Sequence, residues 1–443
     1  MRGNESQNSP RFFFLRALQY RNYRLFFTGQ SISLIGTWMT RVATSWLVYR
    51  LTGSAWLLGI VGFSGQFPTF ILAPFAGVWV DRMDRHRILV VTQVLAMLQS
   101  FALAVLTLGN WIVVWEIIAL GAFQGLINAF DMPARQAFVI EMVEDKKDLS
   151  NAIALNSSMV NMARLIGPSL AGMVIAVAGE GYCFLIDGFS YVAVIASLLL
   201  MTIVLKAPKV AARRNMLSEM HEGWKYVSGS RPTRSLLLML ALVSLVGMPY
   251  TVLMPIFAGD ILHGGPHTLG FLMGSVGVGA LAGAVALAAR KSVLGLGRLI
   301  VIAACCFGGG LIAFSTSRIF PLSVALLFIT GYGMMTQMAS TNTILQTIAR
   351  DQQRGRVMSY YSMAFVGMAP FGSLLAGSVA GSIGAPFTLL IGGVCCCVGA
   401  LLFALNLPEL RKAVHPIYVE LGILPEVATG IQTATELRTP PEG

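Results

Sequence analysis

Two short stretches, GPSLAG at residues 167–172 and GSLLAG at residues 372–377, decide the architecture that the rest of the sequence has to fit. At the same spacing, LIDG at 185–188 aligns with LIGG at 390–393. Two matches in one register favour an internal duplication over chance. The spacing places the fifth apolar segment of the chain on the eleventh and the sixth on the twelfth. It therefore predicts two six-helix bundles related by a pseudo-twofold axis along the membrane normal.

The apolar segments around these stretches predict an all-α polytopic membrane protein. The 443-residue chain is 56% hydrophobic and only 12% charged, whereas soluble domains carry about 25% charged residues. This composition excludes a soluble, disordered or disulfide-stabilised protein. A helix needs about 20 apolar residues to cross the hydrocarbon core. Twelve transmembrane helices are predicted, at 23–49, 55–80, 88–109, 112–139, 150–178, 183–205, 235–262, 267–289, 297–316, 320–348, 356–381 and 385–407.

The distribution of positive charge predicts the orientation. If both ends lie on one side of the membrane, all but four of the 31 Lys and Arg residues fall on that side, the exceptions being Arg41, Arg50, Arg164 and Arg318. By the positive-inside rule both termini are then cytoplasmic, in a multi-pass protein of the bacterial inner membrane. We expect a cytoplasmic N-terminal segment at 1–22, bundles at 23–205 and 235–407, a cytoplasmic linker at 206–234, and a tail at 408–443 with little packed structure.

Four stretches resemble motifs of the major facilitator superfamily. The most specific is GVWVDRMDRHR at 77–87, which is similar to the G-x-x-x-D-R-x-G-R loop between spans two and three, although Asp84 replaces a glycine. RLIGPSLAG at 164–172 resembles the antiporter motif of exporters, and DMPARQ at 131–136 and RGRVM at 354–358 are also similar. The resemblance covers residues 15–407. It points to the drug- and siderophore-exporter branch, which includes enterobactin and macrolide exporters.

The resemblance implies two gating elements. In the loop, Asp81 would face the positive N-terminus of span eleven and form a clasp between the bundles that favours the outward-open state; a plain solvated loop is the alternative. In span five, the antiporter-like motif would prevent leak between the bundles, with ordinary small-residue packing as the alternative. The loop-motif residues are Gly77, Asp81, Arg82, Arg85 and Arg87, with Arg135 nearby, and the antiporter-like residues are Gly167, Pro168 and Gly172.

Ionisable side chains inside a membrane are costly, which makes them candidates for function. Arg41 lies well inside span one, where it binds either an anionic group of a substrate or a structural carboxylate. Arg164 lies near the middle of span five, and its repeat position is Ala369, so the fold does not require an arginine there. The predicted substrate cavity comprises Gln30, Trp38, Arg41, Gln124, Asn128, Arg164, Gln337 and Asn342.

Three acidic residues are candidates for carrying a coupling proton: Glu116, Asp131 and Asp187. Asp131 is four residues before Arg135, a spacing that favours a structural ion pair on one helix face. Glu116 lies near the outer surface, where it is solvated. Asp187 aligns with Gly392 in the repeat and is either a proton carrier or a hydrogen-bonding partner of neighbouring helices. The sequence does not choose among them.

These observations predict a secondary active transporter of the major facilitator type. We expect proton-coupled efflux of small amphiphilic molecules (a drug, siderophore or metabolite) by alternating access. The sequence has no P-loop, H-E-x-x-H or G-x-S-x-G motif, so we expect no enzyme activity, no cofactor and no metal site. The expected partners are the substrate, a proton or other coupling ion and membrane lipids, in a monomer without nucleic acid. The alternatives are a lipid or lysophospholipid flippase and, in a different class, a membrane receptor or enzyme.

Overall fold

The computed structural model describes residues 10–80, 82–143, 145–202, 216–290 and 292–421, and over these ranges the chain is helical with no β-strand. A 3₁₀ segment at Pro10–Gln19 precedes the first long helix. The helices are α1 (Arg21–Thr52), α2 (Ala55–Val80), α3 (Arg85–Leu108), α4 (Val114–Met142), α5 (Leu149–Ala178), α6 (Glu180–Leu199), α7 (Met216–Gly229), α8 (Arg231–Leu242), α9 (Tyr250–Ile256), α10 (Pro266–Ala288), α11 (Leu296–Thr316), α12 (Phe320–Ile348), α13 (Asp351–Ser362), α14 (Ala369–Ile383) and α15 (Ala385–Glu420).

Eleven helical stretches in the described ranges are long and apolar enough to cross a membrane. Two of them are composite: α8 and α9 form one stretch, Arg231–Ile261, and α13 and α14 another, Gln353–Ile383. In each, a π-helical segment (Val243–Gly247 or Met363–Gly367) interrupts the α-helix. Helix α1 is 32 residues long but lies outside this apolar set, because it carries four arginines and several polar residues. The prediction of a helical, multi-pass membrane protein is confirmed.

The duplication is visible in the backbone between consecutive helices. Gly179 joins α5 to α6 with φ +92°, and Gly384 joins α14 to α15 with φ +86°. Both conformations are in the region that side chains with a Cβ rarely adopt. The two glycines are separated by the same 205 residues as the repeated stretches, so the tight turn recurs at equivalent positions.

Polar contacts identify which helix ends lie together. Arg85, at the start of α3, forms an ion pair with Glu141 near the end of α4. We call this the loop end, because it carries the connection between α2 and α3. At the opposite end, Arg50 near the end of α1 forms a two-point ion pair with Glu180 at the start of α6, at 2.7 and 3.2 Å.

Helices α1–α6, the first half, and α8–α15, the second half, meet along two helix pairs, α5 with α10 and α2 with α14. A Cβ on Gly172 of α5 would meet the Cα of Gly270, and a Cβ on Gly377 of α14 would meet the Cα of Gly59. Only glycine permits backbones to approach this closely. Gly172 and Gly377 are equivalent in the repeat, so both crossings use the same motif position.

The tail is more ordered than the sequence suggests. We expected little packed structure after Pro408, but α15 continues through Pro408 and Pro416 to Glu420. Leu410 and Val414 are buried in this extension. A proline inside a helix removes one hydrogen bond, and burial of the apolar side chains compensates for that loss. Residues 422–443 lie outside the described residues.

Part of the linker is also helical. Helix α7 lies within the predicted linker at 206–234, and Arg356 of α13 forms an ion pair with Glu222 of α7 at 2.6 Å. The Trp224 ring packs against Tyr360 with centroids 6.2 Å apart. These contacts attach α7 to α13 of the second half.

Candidate functional site

Trp38, near the middle of α1, is the centre of the candidate substrate site. The Arg41 guanidinium lies over the Trp38 ring with its Cζ 4.7 Å from the centroid, and the Arg164 Cζ lies 5.2 Å from the same centroid. Trp38 and Arg41 share a helix face because they are three residues apart. Arg164 is brought to the ring by α5, where Gly167 leaves the space that the Trp38 Cβ occupies.

Both guanidinium groups lack a carboxylate partner. Among the described residues, no Asp or Glu forms an ion pair with Arg41 or Arg164, and the Arg164 Nε is buried without a hydrogen-bond partner. The two positive charges also repel each other. Cation–π contact with the indole attracts each of them, typically by about 0.5–2 kcal/mol.

The site lies at the boundary between the halves. Arg164 is at the midpoint of the 30-residue helix α5, and a Cβ on Gly277 of α10 would meet the Arg164 carbonyl oxygen. The buried Tyr250 of α9 lies close enough to the Arg164 guanidinium for the two groups to interact electrostatically. Arg41 lies about 16 Å inside the end of α1, at 1.5 Å per residue, and is nevertheless exposed. The Arg41 side chain is therefore accessible at this depth of the fold.

Asp187 of α6 is buried among hydroxyl groups. Its Oδ2 accepts hydrogen bonds from Thr40 at 2.9 Å and from Ser100 at 2.6 Å, and Ser190 approaches Oδ1 at 3.5 Å. The side chain is paired with no cation in the described part of the chain, and the residue is 2% exposed. Thr40 is adjacent in sequence to Arg41, so the same segment of α1 contacts the Asp187 carboxyl group and carries one arginine of the candidate substrate site.

The other two acidic candidates have structural partners. Asp131 forms the predicted ion pair with Arg135 at 3.1 Å and accepts a hydrogen bond from the Gln93 amide at 2.7 Å. Glu116 accepts a hydrogen bond from the Val113 backbone N–H at 3.0 Å and so caps the start of α4. A guanidinium and an amide N–H can only donate, so both engage Asp131 as a hydrogen-bond acceptor.

The remaining predicted cavity residues are not brought to Trp38 by any contact in the described ranges. Gln124 donates to Asn128 on α4 at 3.3 Å, and Asn342 accepts from Gln346 on α12. Gln30 and Gln337 are buried, at 3% and 1% exposure, so neither presents its side chain to open space. Membership of these residues in the cavity stays a prediction.

The loop motif is tied to the first half. Asp84, which departs from the superfamily pattern, caps α3 by accepting the His86 N–H at 3.0 Å, and this explains an aspartate where glycine is usual. Arg87 forms an ion pair with Asp84 at 3.4 Å. Asp81, the acidic residue of the predicted clasp, lies outside the described residues. The other members are placed as follows: Gly77 is half-buried at the end of α2, Arg82 is exposed, and Arg85 pairs with Glu141.

The antiporter-like motif packs on both sides of α5. Gly167 is the close contact with Trp38 of α1, whereas the Pro168 carbonyl and Gly172 form the close contact with Gly270 of α10. One short stretch of α5 therefore contacts both the candidate site and the second half. The motif's role in preventing leak stays a prediction.

The comparisons with known proteins agree with this architecture. The sequence profile of the family described as Transmembrane secretion effector matches residues 15–420. The chain belongs to this family. It is a transporter of the major facilitator type, in the drug- and siderophore-exporter branch that the sequence motifs indicated.

Curated relatives of this chain are named as transporters or efflux proteins. The chain is 28% identical over 376 residues to the staphyloferrin A transporter of Staphylococcus aureus (strain NCTC 8325 / PS 47), covering 84% of this chain and 92% of the relative. It is 25% identical to macrolide efflux protein A of Streptococcus pyogenes, covering 89% and 98%. It is 25% identical to the multidrug efflux pump Tap of Mycolicibacterium fortuitum, covering 87% and 92%. The homologues are thus transporters and efflux proteins rather than enzymes.

Solved structures share the fold at low sequence identity. A bacterial homologue of the human lysosomal transporter Spinster, in an inward-facing and occupied conformation, has a TM-score of 0.69 at 15% identity. The similarity covers 89% of this chain and 98% of that one. The nucleoside transporter NupG has a TM-score of 0.65 at 13% identity, covering 87% and 98%.

Sequence reasoning missed the partners that define each site. It named Trp38 and Arg164 separately but had no signal that one ring contacts both arginines. It also missed the hydroxyl groups around Asp187, which come from α1, α3 and α6. The small residue at Gly167 was the available signal for the first contact, because a glycine in a predicted span indicates that a neighbouring helix approaches closely there; it does not identify that helix.

Proposed function

We propose that the protein is a proton-coupled exporter that moves small amphiphilic molecules out across the bacterial inner membrane by alternating access. The observation that carries the proposal is the open site at mid-height, where Trp38, Arg41 and Arg164 meet at the boundary between the halves. A transporter needs its substrate site where both halves can reach it. The efflux functions in the names of the relatives support the outward direction.

The proposed architecture is twelve spans in two six-helix bundles, with α1 as the twelfth span and both termini cytoplasmic. Its support is the recurrence of the same contacts at equivalent positions, including the glycine crossings of α5 and α14. The arginine distribution supports the orientation. An α1 less apolar than the other spans fits a helix that lines a water-filled chamber instead of lipid.

Contacts between the halves concentrate at the end opposite the loop end. The Tyr49 hydroxyl donates to Asp260 there, at 2.5 Å, and the close crossings of Gly172 with Gly270 and of Gly377 with Gly59 lie toward the same end. This arrangement favours a chamber that is closed outside and open to the cytoplasm. In the outward-open state these contacts separate, and the Asp81 clasp forms at the loop end.

Asp187 is the proton carrier in this proposal. Its partners are hydroxyl groups, which donate to a carboxylate and accept from a carboxylic acid. The same geometry therefore satisfies both protonation states. Through Thr40, a change in the charge of Asp187 reaches the helix that carries Trp38 and Arg41, which provides a route from proton binding to substrate affinity.

The test is transport by purified protein in liposomes with an imposed pH gradient. Internal pH would be followed by a trapped dye across a panel of neutral, cationic and anionic amphiphiles. We expect at least one compound to move protons. Asp187→Asn is expected to lower gradient-driven transport by about 100-fold while substrate exchange without a gradient continues.

The matched control is Glu116→Gln, which removes one carboxylate at a helix cap and is expected to leave coupling unchanged. If no compound in the panel produces proton flux, the export proposal is contradicted. Normal coupling in Asp187→Asn would contradict the assignment of the carrier. Movement of labelled lysophospholipid without movement of any soluble amphiphile would replace export by lipid flipping.

A further inference from the structure

Two positive charges share one aromatic ring in the middle of the proposed transport path. The guanidinium carbons of Arg41 and Arg164 both lie close to the Trp38 centroid, so these carbons are no more than about 10 Å apart. In the described ranges no carboxylate forms an ion pair with either of them: Asp187 is engaged by hydroxyls, and Asp131 and Glu116 of α4 have partners of their own. From this unbalanced pair we propose that the substrate is an organic anion with two acidic groups.

Placing two positive charges inside the membrane has a free-energy cost, and a ligand of opposite charge offsets it. Arginine inside a membrane protein is expensive and is retained where it pairs with a carboxylate, a water-filled cavity or a ligand. Cation–π contact with Trp38 offsets part of that cost, and exposure of Arg41 to open space offsets more. Neither offsets the repulsion between two like charges, whereas the attraction of a bound dianion to both guanidinium groups offsets it.

The geometry sets the form of the anion. A guanidinium presents a planar fork of N–H donors that matches the two oxygens of a carboxylate. With two forks on one indole, a ligand binds both when its acidic groups are joined by a short chain. Trp38 fixes the forks in position, and this limits the loss of side-chain freedom on binding. A ligand with one acidic group engages one fork and leaves the other unpaired.

This inference deepens the proposed function, on which it rests, by naming the substrate class. The probes are linear dicarboxylates of four to ten carbons, monocarboxylates of equal length and the dimethyl esters of the diacids. Binding to purified protein is measured from the shift in Tm as a function of ligand concentration. We expect one chain length among the diacids to bind at least tenfold more tightly than its monoacid, and the diesters not to bind.

Variants assign the effect to the two arginines. Arg41→Gln and Arg164→Gln are each expected to weaken diacid binding about tenfold, to the level of the monoacid. Arg24→Gln is the control, since Arg24 lies on the same helix, is exposed and forms no ion pair within the described residues. If either glutamine variant does not fold, Arg41→Lys and Arg164→Lys keep the charge without the planar fork and are expected to weaken binding about threefold.

The outcomes separate this inference from the export proposal. Equal binding of diacids and their esters, or equal losses in Arg24→Gln and Arg164→Gln, would overturn the inference. Proton flux driven by neutral amphiphiles with no response to any diacid would overturn it while export stands. Diacid binding that needs both arginines, in a protein that moves no protons, would support the site and contradict proton-coupled export.

Discussion

The two halves of the molecule share their packing but not their chemistry. Gly172 and Gly377 are equivalent residues and make equivalent backbone contacts with Gly270 and Gly59. By contrast, the repeat position of Arg164 is Ala369, whose side chain is short and uncharged. The scaffold is therefore duplicated, whereas both arginines of the candidate site belong to the first half.

Equivalent positions in α1 and the second half follow a different spacing. Gly59 and Gly270 are 211 residues apart, the separation that also relates Tyr49 to Asp260. At this spacing Trp38 corresponds to Pro249. The contact of Gly167 with Trp38 then corresponds to that of Gly372 with Pro249, and both are close approaches. The same crossing thus holds an aromatic ring in one half and a proline in the other. Selection of one substrate needs only one half to carry the binding groups, while movement needs both halves to pack alike.

The largest expected effect comes from blocking the shared packing. Gly172→Leu and Gly377→Leu should each reduce transport to background, because a side chain at either position meets backbone of the facing helix. If the halves are equivalent in packing, the two losses should match. Transport by reconstituted protein and Tm of the purified variants measure the effect.

Gly309→Leu is the control for helix glycines. A Cβ on Gly309 meets nothing within 4 Å, so this variant should transport normally. Full activity in one of the two crossing variants, with loss in the other, would break the proposed equivalence of the crossings.

The second-largest expected effect tests the chemical difference between the halves. Arg164→Ala is expected to lower the initial transport rate at low substrate concentration at least tenfold. Combining it with Ala369→Arg moves the charge to the equivalent position of the second half, and this should not restore the rate, since Pro249 offers no aromatic face there. Initial rates for the single and double variants, compared at matched protein density, provide the measurement. Recovery in the double variant would show that either half can carry the site.

The sequence predicts local features of the scaffold better than it predicts the contacts within the candidate site. The 205-residue spacing of the repeated stretches also relates Gly179 to Gly384, and the same tight turn recurs there, because local backbone chemistry is encoded in a few residues. The i, i+4 pair of Asp131 with Arg135 was predicted for the same reason. The contact of Arg164 with Trp38 depends on how α1 crosses α5, which is a tertiary property. The helix beyond Pro408 was missed because proline is a local signal and the burial that outweighs it is not.

The ring itself has a smaller expected effect than the charges it holds. Trp38→Leu keeps an apolar residue but removes the π face, and a loss of about 0.5–1 kcal/mol, the range for exposed cation–π contacts, predicts a rise in substrate KM of roughly twofold to fivefold. Trp38→Phe keeps a smaller ring and should fall between that variant and the unmodified protein. Transport kinetics measure KM and the maximal rate separately. An unchanged KM in Trp38→Leu would mean that the arginines hold their positions without the indole.

The smallest effect tests the pair that meets where the halves face each other. Tyr49 and Asp260 are equivalent positions under the 211-residue spacing, and equivalent residues can touch only close to an axis that relates them. Their hydrogen bond is exposed, so Tyr49→Phe should cost about 0.5–1.5 kcal/mol of the closed arrangement at that end. Spin labels at Ser54 and His263 should then report about a threefold gain in the population with the larger separation. Asp260→Ala should give a similar gain, and the double variant should add little, because both changes remove the same hydrogen bond. Additive gains would show that the residues act separately, and the pair would then lose its value as a marker of the axis.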